Sequence, residues 1–121
     1  TILFLNNYCL ELYKEEFENY RRLFSGKIFE QEEKAIKSSG YVVDTLEAVL
    51  WCFINTESYS DAVFKAINLG EDTDTIAALT GGLAGIYYGL KSIPSNWVQC
   101  LARKKDIYNL CCSFIEAGYE R

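Results

Sequence analysis

The sequence predicts an all-α fold, and three observations carry that prediction. Half of the 121 residues are hydrophobic and there is a single proline, a composition that suits a packed helical domain and excludes a disordered chain. Apolar residues recur at three- and four-residue spacing in one segment after another. β-branched runs are short and embedded in that spacing, so no strand is expected. At this length residues 1–121 make one domain at most, built of about five to six helices.

Residues 1–24 place Leu5, Tyr8, Leu12, Tyr13, Phe17, Tyr20 and Phe24 at helical spacing, predicting an amphipathic helix that Ser25-Gly26 breaks. Residues 28–37 read as a short polar helix or helical connector, with Glu30 and Lys34 at the favourable i,i+4 spacing on a solvated face. After Ser38-Ser39-Gly40, YVVDTLEAVLWCFINT predicts a helix with an apolar stripe at Val42, Leu46, Val49, Leu50 and Phe53. Trp51 widens that stripe, so most sides of the helix should be buried. Ser58–Asn68 gives the next helix, capped by Ser58 or Ser60, with Ser58 and Asp61 resembling a capping box. Ala62, Val63, Ala66 and Ile67 should face inward, and Gly70 suits the C-terminal reversal. Beyond Gly89 the chain turns into a helix over 94–102, with Pro94 at its first position and Trp97 packing it down. Asp106 can cap a last helix through Ile107, Leu110, Cys111, Phe114 and Ile115, ending near Gly118.

The net charge of −5 and a pI near 4.7 argue against a nucleic-acid or anionic-membrane partner. No apolar run reaches the roughly 18 residues that span a bilayer. No secretory signal pattern opens the chain. The five cysteines (Cys9, Cys52, Cys100, Cys111 and Cys112) form no C-x-x-C pair and there is no histidine, which disfavours zinc and leaves a catalytic thiol without a base. Cys52, Cys100 and Cys111 fall within apolar helical patterns and read as reduced core residues, so a cytoplasmic setting is the expectation.

The organising stretch is Asn68–Gly89, NLGEDTDTIAALTGGLAGIYYG. A glycine turn is followed by Asp72, Asp74 and Thr75 at the start of a helix. Residues two apart do not share a helix face, so the two carboxylates converge only if they lie in the turn with Thr75 entering the helix. Three hard oxygen donors there suit Mg²⁺, Mn²⁺ or Ca²⁺. Asp and Thr are also ordinary N-cap residues. Ala77, Gly81 and Gly85 then recur every four residues, with Gly82 and Gly89 adding to the small surface. Each interior glycine costs about 1 kcal/mol relative to alanine, so close approach of a neighbouring backbone is expected to offset it.

That stretch, with IPSNW after it and SSGYVVDTLEAVLWCFINTESYSDAVFKAINLG before it, resembles the C-terminal signature of the ADP-ribosylglycohydrolase family, of the dinitrogenase-reductase-activating type. The resemblance runs from about Ser38 to Trp97. It implies the C-terminal part of an orthogonal helical bundle, and an enzyme that hydrolyses the bond between ADP-ribose and an acceptor. It also implies a cleft with two Mg²⁺ ions, Mn²⁺ serving in some members. By the same resemblance Asp72, Asp74 and Thr75 are the metal ligands, and Gly40 and Tyr41 lie near the ADP-ribose. Tyr41 reads equally as a half-buried tyrosine at a helix start, and Asp44 either answers the helix dipole or faces the cleft. Glu71 stands where many members have glycine.

The family also draws a Thr-Asp-Asp cluster and a catalytic acid from its N-terminal half, whereas this sequence has no Asp-Asp pair and no methionine. The chain therefore reads as the C-terminal piece of a family member, with the catalytic residue unassigned and expected elsewhere. The partners implied are ADP-ribose or an ADP-ribosylated protein or small molecule, with the N-terminal half of the same protein or a second chain as a further candidate. The contrasting expectation is a non-catalytic helical binding or scaffold module, which would need the same core.

Overall fold

The computed structural model describes residues 16–119. Among them lie six α-helices and no strand: α1 (Arg21–Phe24), α2 (Val42–Ile54), α3 (Tyr59–Asn68), α4 (Thr73–Tyr88), α5 (Ser95–Cys100) and α6 (Lys104–Tyr119). The all-α expectation is met. Helices α2, α3 and α4 pack on one another, and the 3₁₀ turn at Lys27–Glu30 closes against α2. The core joins Ile28 and Ile36 to Ala48, Val49, Trp51 and Cys52 of α2, Ala66 of α3 and Ile76 of α4.

Helix α2 buries a different stripe from the one expected. Val43, Ala48, Val49, Trp51 and Cys52 are inside, whereas Val42 and Leu46 are exposed. Two overlapping apolar stripes fit the same 3.6-residue period here, so spacing could not choose between them. Tertiary contacts choose. The Trp51 indole N–H donates to the Gln31 carbonyl at 3.0 Å, and Lys65 of α3 lies 4.2 Å over its ring. Those contacts turn the Trp51–Cys52 side inward. On α3 the inward residues are Ala62 and Ala66, while Ile67 is exposed. Ser58 caps α3: its hydroxyl accepts from the Asp61 amide at 3.1 Å and donates to the Asp61 carboxylate at 2.7 Å.

Helix α4 buries Ile76, Thr80 and Ala84. Its glycines admit a side chain rather than a neighbouring backbone. A Cβ at Gly81 would lie 3.3 Å from the Tyr59 hydroxyl and 3.5 Å from Val63, and one at Gly85 would lie 3.8 Å from the Tyr59 ring. Tyr59 therefore lies along the stripe. At the far end Phe53 packs edge-on against Tyr87, and the Tyr88 hydroxyl donates to the Thr56 carbonyl at 3.2 Å.

The N-terminal expectations are corrected in part. Residues 1–15 of the expected first helix lie outside the described residues; from Glu16 onward the helix is not continuous, only a 3₁₀ turn and the four-residue α1. Phe17 stacks on Phe24 at 4.5 Å between ring centroids, so these aromatics pack on one another rather than lining one face. Of the two readings of residues 28–37, the helical connector holds: they form two 3₁₀ turns rather than an α-helix. The Phe29 and Gln31 carbonyls that an α-helix would use accept instead from Asn55, just past α2, and from Trp51 of α2.

The C-terminal helices are also shifted. Pro94 is the residue before α5 rather than its first position. Trp97 does pack α5 down, edge-on to Phe64 at 5.2 Å. Arg103, not Asp106, precedes α6: the Arg103 carbonyl accepts the Asp106 and Ile107 amides, and Asp106 pairs with the Arg103 guanidinium. Cys100 and Cys111 are exposed, so only Cys52 of the three is a core residue. No helix among the described residues is long and apolar enough to cross a membrane.

Candidate metal and ADP-ribose site

The turn between α3 and α4 is held against the Ser38–Tyr41 turn. Gly70 (φ 84°) and Glu71 (φ 52°) both adopt left-handed backbone, which swings the chain back into α4. An L-residue in that conformation costs roughly 1–2 kcal/mol, a strain that Glu71 carries and that glycine at position 70 avoids. The Asp72 amide donates to the Ser38 carbonyl at 3.1 Å, and the Ser38 hydroxyl, itself buried, donates to the Leu69 carbonyl at 3.4 Å. Two backbone segments some thirty residues apart are thereby fixed to each other.

Asp72 occupies the N-cap position of α4, but its side chain makes no capping hydrogen bond. Its carboxylate lies against Gly40 instead, where a Cβ would sit 3.2 Å from Oδ2. Gly40 and Asp72, far apart in sequence, are brought together. Asp74 and Thr75 are already in the first turn of α4, not ahead of it, and both are exposed. The helix begins at Thr73, so of the three oxygen-bearing residues only Asp72 lies in the turn.

Tyr41 precedes α2, is 55% exposed, and opens onto a groove with Arg22, Lys37, Asp44 and Glu47. Asp44 accepts from the Ser39 hydroxyl at 2.7 Å, and the Tyr41 amide donates to the same hydroxyl at 3.3 Å. A second groove lies along Glu33, Lys34, Ser38, Ser39 and Glu71. The Ser38–Tyr41 turn thus separates two grooves, with Tyr41 bordering one and Glu71 the other. Sequence reasoning missed Ser39, Glu47 and Arg22. Glu47 is buried and its carboxylate lies 3.3 Å from the Arg22 guanidinium. Burial pushes the Glu47 carboxyl above its ordinary value, and Arg22 partly opposes the shift. The available signal was a glutamate inside an otherwise apolar run, which reads more simply as a solvent-facing residue.

The donor set fits a hard divalent cation. The residue types are two carboxylates and a hydroxyl with no soft ligand among them, and the Asp72 carboxylate is not consumed by capping. With Asp74 already on α4, however, the two carboxylates do not share the turn in which they were expected to converge. Among the described residues no three or more His, Cys, Asp or Glu side chains gather into a metal-binding group.

The sequence model of the ADP-ribosylglycohydrolase family matches residues 4–121. The chain is 45% identical over 86 residues to ADP-ribosylarginine hydrolase Tri1 of Serratia proteamaculans, covering 71% of this chain and 24% of that protein. It is 40% identical over 70 residues to ADP-ribosyl-[dinitrogen reductase] glycohydrolase of Rhodospirillum rubrum, covering 58% of this chain and 24% of that protein. It is 31% identical over 81 residues to ADP-ribosylhydrolase ARH3 of Homo sapiens, covering 55% and 22% respectively. The chain spans about a quarter of the length of the curated relatives it matches. With nearly its whole length matched by the family model, and with the glycine turn, the Asp72–Thr75 segment and the Gly40 turn held together in one all-α body, this chain belongs to the ADP-ribosylglycohydrolase family.

Proposed function

We propose that this chain supplies one part of the metal centre of a Mg²⁺-dependent ADP-ribosyl hydrolase, which cleaves the N- or O-glycosidic bond between ADP-ribose and an acceptor. The observation that carries the reading is the family match over residues 4–121, which includes Asp72, Asp74 and Thr75 at the start of α4. The two relatives of highest identity given above act, by name, on ADP-ribosylarginine and ADP-ribosyl-dinitrogen reductase, so an ADP-ribosylated protein side chain is the substrate class favoured here.

In this reading Asp72, Asp74 and Thr75 hold the cation from one side, Mn²⁺ being an acceptable substitute. When bound, the cation pair supplies Lewis-acid charge to ribose hydroxyls and to the attacking water. The two carboxylates balance that charge, and Thr75 adds a neutral oxygen. Tyr41, exposed above the first groove, and Gly40 flank the ADP-ribose. The general acid or base at the anomeric carbon comes from outside this chain in this reading, since neither Asp44, which accepts from Ser39, nor Glu71, which borders the second groove, matches the family's catalytic position. The remainder of the domain, or a second chain, packs on the apolar residues that α6 leaves open, Ile107, Leu110, Phe114 and Ile115. Free cysteines at Cys52, Cys100, Cys111 and Cys112 suit a cytoplasmic setting.

The test is a chimera in which this chain replaces its matching segment in the Serratia hydrolase. Release of ADP-ribose from an arginine-modified peptide should require Mg²⁺, stop with chelator, and fall at least about a hundredfold in Asp72→Asn. This chain alone should release none. Release by the isolated chain would overturn the partial-site reading, and a chelator-resistant chimera would overturn the metal reading.

A further inference from the structure

We infer that Gly40 is a positioning residue: it is glycine to leave room for the Asp72 carboxylate and so fixes where that carboxylate can meet a divalent cation. The inference rests on the metal reading proposed above. Glycine is usually required for one of two reasons, a left-handed backbone or a close approach. The left-handed glycines among the described residues are Gly26, Gly70 and Gly89, and Gly40 is not one of them. Backbone conformation therefore does not demand glycine at position 40. Close approach does. A Cβ there would lie 3.2 Å from Asp72 Oδ2 and 4.0 Å from its Cγ, and among the described residues no other atom outside the adjoining residues comes within 4 Å.

The surrounding bonds make that approach a fixed one. The Asp72 amide is tied to the Ser38 carbonyl, and the Ser38 hydroxyl to the Leu69 carbonyl, so the backbone on both sides of the contact is pinned. The turn cannot swing away as a unit to make room for a methyl group. The displacement falls on the Asp72 carboxylate, which makes no capping hydrogen bond to hold it. A shift of a few tenths of an ångström is small for packing, yet it matters for a ligand of Mg²⁺, whose octahedral geometry at about 2.0–2.1 Å is exacting. Groups that orient a ligand without touching the metal are worth roughly 10–100-fold in affinity.

The test uses the Serratia chimera described above, carrying this chain as wild type, Gly40→Ala, Asp72→Asn and the double variant, titrated with Mn²⁺ and read by paramagnetic broadening of backbone amide resonances. The carboxyl ¹³C resonance of Asp72 is recorded without metal. In the wild type, broadening should centre on Asp72, Asp74 and Thr75. Gly40→Ala should need about tenfold more Mn²⁺ for the same broadening, move the Asp72 carboxyl resonance, and leave the thermal midpoint nearly unchanged. Adding Gly40→Ala to Asp72→Asn should make no further difference. An unchanged Mn²⁺ dependence in Gly40→Ala sinks the inference, as does an equal loss in the Asp72→Asn background. A wild type with no broadening at Asp72–Thr75 overturns the metal reading and the metal role of Gly40 with it. A shifted Asp72 resonance in Gly40→Ala would then show that the contact itself is real.

Discussion

Helices α4 and α6 are both 16 residues long, yet they stand in opposite relation to the rest of the chain. Helix α4 carries three interior glycines and would be a poor helix alone, but Ile76, Thr80 and Ala84 are fully buried between α2 and α3. Helix α6 has the cleaner amphipathic pattern, and Ile107, Leu110, Phe114 and Ile115 all remain 45% exposed or more. The difference teaches that burial follows the partner rather than the pattern. Tyr59 and Val63 fit the glycine stripe of α4, while no described element covers α6. A 16-residue helix without tertiary packing is marginal in water, so α6 depends on something beyond the described contacts.

The comparison can be broken first by chemistry. Cys52 is fully buried on the inner face of α2, and burial pushes its thiol from an ordinary 9.0 up to about 12. Three pH units remove about a thousandfold of its reactive thiolate at neutral pH. Timed labelling with a thiol reagent followed by mass mapping should modify exposed Cys100 and Cys111 early, and Cys52 only on unfolding. Fast labelling of Cys52 would mean that the body opens as readily as the C-terminal arm.

Next comes packing. Ile76→Ala removes a side chain with no exposed surface and should cost about 3 kcal/mol by urea unfolding. Phe114→Ala, at a site 79% exposed, should cost less than about 0.5 kcal/mol. Equal costs would show that α6 finds a partner in solution, either a second copy or another face of the same chain.

The smallest effect is electrostatic. Glu47 is the buried carboxylate of the body, facing Arg22, Lys37 and Asp44, whereas Asp106 and Glu116 of α6 are exposed. Its folded pKa is raised above 4.5 chiefly by burial, so the folded state binds its proton more tightly than the unfolded chain. Its contribution to stability is therefore most favourable below about pH 4.5 and declines as pH rises through the raised value. Urea midpoints measured from pH 4 to 7 should show that decline in wild type and a flatter profile in Glu47→Gln. An identical slope in both would assign the pH dependence to other groups.

Much of this was present in the sequence. Helical spacing, the Ser58 cap and the Gly70 reversal were set by local chemistry: period, hydroxyl and a glycine free to take a left-handed backbone. The Asp72–Thr75 segment and its family resemblance were likewise local, since they lie in one continuous run. Only the tertiary structure decided which of two equally apolar stripes α2 would bury, because Trp51 finds its carbonyl partner in a turn 20 residues away. It alone chose between a polar helix and a helical connector at 28–37, giving two 3₁₀ turns because Trp51 and Asn55 take carbonyls that a helix would need. It alone placed Gly40 beside Asp72, a meeting made by the Ser38–Asp72 bond between distant segments, for which no periodicity leaves a trace.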